Sequence, residues 1–183
     1  TQTDTSVYLH RGNGSAGVGD GTFAAGERIP CGVQPSGLAI ADLDEDGIQD
    51  LVVAGGFSSV AIVRGLGAAG IGNGTFEAPV LVPAGFAPRA VVVGDFNSDG
   101  IADLAVASNN LVVLLGNGTG GKGDATFQPA VSYGVGSTPS SLATGDFNRD
   151  GITDLAVGNS AAGTVSILLG NGTGGNGDGT FAP

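Results

Sequence analysis

The chain contains no methionine and no tryptophan, one cysteine, one histidine, and six basic residues against 17 acidic ones. With Cys31 alone, no disulfide can form within the chain, and the residue reads as a small buried apolar side chain. The formal charge of −11 argues against nucleic acid or an anionic membrane surface as partner. Long hydrophobic runs are also missing. The longest, LVVLLG (111–116) and VSILLG (165–170), fall far short of the roughly 18 residues of a membrane span, so no membrane insertion is expected. Catalytic residue types are scarce. His10, read as a solvent-facing strand residue, is the only imidazole, and no Gly-x-Ser-x-Gly elbow occurs, so the chain is not expected to be an enzyme. The first residue is Thr1 rather than methionine, which leaves open whether a targeting segment precedes it.

What is present is glycine, 36 of 183 residues, and short Val, Leu, Ile and Ala runs bounded by Gly, Asn, Asp or Pro. That pattern describes an all-β chain. Self-comparison reveals a period. The first Asp of an acidic loop recurs at 42, 95 and 146; the Phe of GTF or ATF recurs at 23, 76, 127 and 181; a run-ending glycine recurs at 12, 65, 116 and 170. In the second copy four strands are expected, at 89–95, 103–108, 110–116 and 126–134. Four short strands per period describe a β-propeller-type blade, here about three and a half in tandem.

The expected divisions of this single repeat domain are a half-blade at 1–36, blade 1 at 37–88, blade 2 at 89–139 and an incomplete blade 3 at 140–183. The half-blade holds the last two strands of a blade, and the final blade ends in a stub at 180–183. So few blades do not close a ring of four to eight, and unclosed sheets expose their edges. Either the array continues in a longer propeller or tandem chain, or neighbouring copies complete it. Residues 164–183 repeat the pattern of 5–24, as a head-to-tail homo-oligomer or filament would require.

Eleven of the 17 acids lie in three in-phase loops: DLDEDGIQDL (42–51), DFNSDGIADL (95–104) and DFNRDGITDL (146–155). Such clusters repel themselves unless a cation sits among them. Calcium takes six to eight hard oxygen donors on a flexible cage, which alternating carboxylate or amide side chains on a tight turn supply. The expected ligands of three ions are Asp42, Asp44, Asp46 and Asp50; Asp95, Asn97, Asp99 and Asp103; and Asp146, Asn148, Asp150 and Asp154. The backbone carbonyls of Ile48, Ile101 and Ile152 complete the sets, while their side chains anchor the loops. Position 12 is Val53, Val106 or Val157 inside a strand, not the Glu of an EF-hand, so these are β-loop sites.

The loops, the DLAV strand that follows and the GNGDGTF-like turn resemble the FG-GAP/VCBS repeats of integrin α propellers and many secreted bacterial proteins. The resemblance implies blade-like folding, calcium between the first two strands of each blade, an extracellular setting and adhesive or scaffolding work. It also implies a runner-up role as a recognition module that binds a protein or glycan on a propeller face.

The glycine-rich segments after each third strand all fit Gly-x-Gly-x-x-Gly, but strands follow instead of a helix, so each reads as a long turn rather than a nucleotide site. They carry four sequons, at Asn13, Asn73, Asn117 and Asn171, as candidate glycosylation sites, one per repeat. Asp20, Asp124 and Asp178 in these turns read as solvated turn acids rather than contacts to a second cation. Phe96 and Phe147, in phase, are expected in the core.

Overall fold

The computed structural model describes residues 4–15 and 17–182; Thr1–Thr3, Ala16 and Pro183, which include the outer ends of the expected half-blade and stub, lie outside the described residues. Every described element is a strand, and among the described residues no helix is long and apolar enough to cross a membrane. The chain opens with β1 (Ser6–Leu9), a hairpin of β2 (Gly12–Ser15) and β3 (Val18–Phe23), and β4 (Glu27–Pro30), which pairs back onto β1. Blade 1 follows with β5 (Pro35–Ala41), β6 (Asp50–Gly55) and β7 (Ser59–Val63), the hairpin β8 (Gly65–Ala68) and β9 (Ile71–Phe76), and β10 (Val80–Pro83). Blade 2 repeats the plan with β11 (Ala90–Gly94), β12 (Asp103–Ala107), β13 (Leu111–Leu114), β14 (Gly116–Thr119), β15 (Lys122–Phe127) and β16 (Val131–Tyr133). Blade 3 contains β17 (Pro139–Gly145), β18 (Asp154–Asn159), β19 (Thr164–Thr173) and β20 (Asn176–Ala182).

All pairings are antiparallel, and the sheets stand in tandem without closing into a barrel. The second strand of each blade is central and covered on both faces, which is why β6 and β12 are buried throughout and written almost wholly in Leu, Val and Ala. First strands pack side by side, β5 on β11 and β11 on β17, and three apolar clusters fill the spaces between successive sheets. Cys31 lies in the first of these spaces, wholly buried, beside the carbonyl oxygens of Thr5 and Val33.

The expected fourth strand at 126–134 is two elements. Its Thr-Phe start belongs to a hairpin that extends the third strand, and only β16 pairs with β13. The glycine-rich segments are therefore β-hairpin arms rather than long turns. Ala69 and Gly70, Gly120 and Gly121, and Gly174 and Gly175 all have positive φ, the type I′ geometry whose twist matches a tight two-residue hairpin. In blade 3, β20 is such an arm, pairing with the far half of β19, and no counterpart of β16 is present among the described residues. His10 stands exposed just past the end of β1, with Nδ1 3.1 Å from the Ala24 carbonyl oxygen.

The arms of blades 2 and 3 lie over the acidic loop of the preceding blade. Gly177 donates to Ser98 Oγ at 2.9 Å and Gly179 to the Phe96 carbonyl at 3.0 Å, and Phe96 is 2 % exposed beneath them. Phe147, the same loop position one blade later, has no arm above it among the described residues and is 50 % exposed, contrary to the expectation that it is core. A Cβ on Gly177 would sit 2.3 Å from the Phe96 carbonyl oxygen, whereas one on Gly19, in phase but with no blade ahead of it among the described residues, would meet only the Asn13 carbonyl at 3.8 Å. Gly177→Ala is therefore expected to cost about 2 kcal/mol and Gly19→Ala close to none, read as melting temperatures side by side.

Candidate metal centre

In each acidic loop the carboxylate at position 1 takes the turn's backbone donors. Asp42 accepts the N–H groups of Asp46 and Gly47, Asp95 those of Asp99 and Gly100, and Asp146 those of Asp150 and Gly151, at 2.8–3.2 Å. Glycine is required at position 6, because Gly47, Gly100 and Gly151 have φ of 83–87° and pack against Gly70, Gly121 and Gly175 of the blade's own hairpin. The side chains of Ile48, Ile101 and Ile152 turn inward and are buried. A Cβ on Gly65, Gly116 or Gly170 would come within 2.6–2.8 Å of them, which accounts for the in-phase glycine that ends each third strand.

Position 9 does most to tie the loop to the sheet. Asp50, Asp103 and Asp154 are at most 1 % exposed. One oxygen accepts the N–H of Leu43, Phe96 or Phe147, and the other accepts that of Gly65, Gly116 or Gly170. Each carboxylate thus joins the loop's second residue to the end of the third strand. The sequence alone offered these residues only as ligands.

The structure brings Asp42, Asp44 and Asp50 together, with one oxygen of each within 4.8 Å of the others. Asp44 Oδ1 is buried and has no hydrogen-bond partner, as suits an oxygen awaiting a cation. Asp46 stands apart from that trio and accepts the Ile48 N–H through Oδ1 at 2.8 Å. In the other loops Asn97 and Asn148 donate through Nδ2 to Oδ2 of Asp99 and Asp150 at 2.8 Å. Hard oxygen donors with an orphaned carboxylate oxygen among them fit a calcium ion, which these residues would hold between the first and second strands.

Burial raises the carboxyl of Asp50 and lifts that of Asp103 from its ordinary 3.8 to about 6, with the neighbouring Asp95 and Asp99 charges adding to the effect and two backbone N–H groups opposing it. A folded-state value above the unfolded one means that protonation favours the metal-free fold. That contribution is complete below about pH 4 and is lost as pH rises to about 6. A bound cation reverses the preference by holding the carboxylate. Chelation should therefore lower the melting temperature far more at pH 7.5 than at pH 4.5, as parallel scans with and without chelator would record.

The remaining candidates fall on the hairpin arms. Asp20, Asp124 and Asp178 each accept the backbone N–H and the hydroxyl of the Thr two residues on, a turn-forming role. Asn73 occupies this same position in blade 1 and makes the same two bonds. It is therefore out of phase with Asn13, Asn117 and Asn171, which lie on the other arm and donate across the hairpin to Thr22, Thr126 and Thr180. The sequons do not form one regular series.

Tandem four-stranded sheets, each with an acidic loop between its first two strands, define a β-repeat protein of blade type. A family model for the FG-GAP-like repeat matches residues 42–106 and 104–157, and one for the FG-GAP repeat matches 138–180. The chain belongs to the FG-GAP repeat family. A comparison with curated proteins found no match.

Proposed function

We propose that this chain is a non-catalytic, extracellular scaffold whose blades are rigidified by one calcium ion per acidic loop and whose open faces are covered by further blades of the same kind, head to tail in a filament or layer. The observation that carries this reading is the contrast between interior and outer faces. Val165 and Ile167 are 66 % and 42 % exposed, while Leu111 and Val113, their counterparts in blade 2, are buried against blade 3. At the other end Leu38 is 51 % exposed, while its counterpart Val91 is buried against blade 1. Each outer face has the composition that its twin buries against another blade. Sequons that carried glycans would add a hydrophilic coat on the hairpin arms.

The test is electron microscopy and light scattering of the purified protein in calcium. Filaments, layers or rings are expected, and monodisperse single particles would contradict assembly. One observation favours recognition of a protein or glycan instead: Phe57 and Phe86, 83 % and 56 % exposed, form an edge-to-face pair with ring centroids 5.8 Å apart. Ligand capture that a Phe57→Ala/Phe86→Ala variant loses, with no assembly in the parent protein, would favour that role.

A further inference from the structure

Three positions of blade 1 differ together from their counterparts in blades 2 and 3, while in the half-blade Arg11 holds the position of Arg64 and pairs with Glu27. The third loop residue is Asp44 where the other loops have Asn97 and Asn148. The residue before the in-phase glycine is Arg64 in place of Leu115 and Leu169, and the residue after Thr-Phe is Glu77 in place of Gln128 and Ala182. In the fold the three meet. Arg64 donates through Nη1 to Asp44 Oδ2 at 3.2 Å, and through Nε and Nη2 to Glu77 Oε2 at 2.9 and 2.5 Å. Glu77 thus holds the guanidinium from the side away from the loop. Asp44 is left with Oδ1 buried and unpartnered, in the trio with Asp42 and Asp50.

We propose that Arg64 is a built-in counter-charge that sets the calcium affinity of the first loop. Positions 1, 3, 5 and 9 carry four carboxylates in loop 1 and three in each of the others, so one guanidinium on the extra carboxylate brings the ligand set of loop 1 to the −3 of the other two, with Glu45, Ser98 and Arg149 at the intervening fourth position. Arg64 fixes Asp44 through one oxygen and leaves the other for the metal. Its positive charge offsets the surplus attraction that a fourth carboxylate would give. The inference rests on the calcium reading of the loops, and its test separates the two.

The amide signals of Gly47, Gly100 and Gly151 report the loops one by one in nitrogen-15-labelled protein, since each N–H is held by the first carboxylate of its own loop. Calcium alone is the titrant. Arg64→Leu, which installs the residue found in blades 2 and 3, should move the Gly47 transition to roughly five- to twentyfold lower calcium, the size expected of one partly solvated charge a few ångströms away, while Gly100 and Gly151 stay in place. Arg64→Gln, which retains a polar side chain, should do the same. Asp44→Asn should shift Gly47 to higher calcium, and Arg64→Leu/Asp44→Asn should return it close to the parent value. Three filled loops with a Gly47 transition that is unmoved or weakened in both Arg64 variants would overturn the counter-charge role alone. No transition at any of the three glycines would overturn the calcium reading and this inference with it.

Discussion

Asp103→Ala is expected to lower the melting temperature of the calcium-loaded protein by about 10 °C, whereas Asp124→Asn leaves it within about 1 °C. Both replace a loop aspartate, and both belong to blade 2. Asp103 is wholly buried, and its removal strands the N–H groups of Phe96 and Gly116 and deletes a candidate ligand. Leaving two buried donors unpaired costs on the order of 3 to 5 kcal/mol. Asp124 only closes a turn onto Thr126, and Asn73 already does that work with an amide in blade 1. Thermal unfolding of the two variants beside the parent checks this, and equal losses would remove the special standing of position 9.

Chelation carries the other large expected effect. Binding confined to the folded state adds about 3 kcal/mol per site at a hundredfold excess over Kd. Three filled sites spread over successive blades would therefore stabilise the whole array, and three divalent ions would bring the formal charge from −11 to about −5. Removing them leaves self-repelling acids on loops whose position-9 carboxylates are buried. A melting temperature at least 10 °C lower in chelator at pH 7.5, restored by calcium and far less by magnesium, is the expected result in differential scanning calorimetry. Because blades contact only their neighbours, hydrogen exchange should show the loops and hairpin arms loosening before the central strands β6, β12 and β18.

The period, the sheet-forming runs and the acidic loops were legible in the sequence because each has a local cause. Apolar runs mark strands buried on both faces, such as β12, and alternating acids with a glycine mark a tight anionic turn. The hairpin arms were not legible in this way. Residues such as Gly12–Ser15 and Val18–Phe23 are exposed throughout, so no burial period is written into them. They are held by backbone pairing and by two-residue turns at positive φ, and the signal that could have located them was the Gly-Gly or Ala-Gly pair between short polar arms. Phe147 marks another limit of sequence periodicity. It shares a local sequence with Phe96 but has no arm of a following blade above it among the described residues, and a repeat specifies local structure without specifying what lies next to it. Arg64 was not legible in this way either, since its counterpart before the in-phase glycine is Leu115 or Leu169 in the other blades with acidic loops and Arg11 in the half-blade, which has no acidic loop among the described residues.

The most direct test of the account is the number of calcium ions bound per chain, by native mass spectrometry and isothermal titration of chelator-treated protein. Three ions are expected for the parent, and two for Asp99→Ala with Gly47 and Gly151 still responding. A metal-free mass at millimolar calcium, with a melting temperature indifferent to chelator, would contradict it.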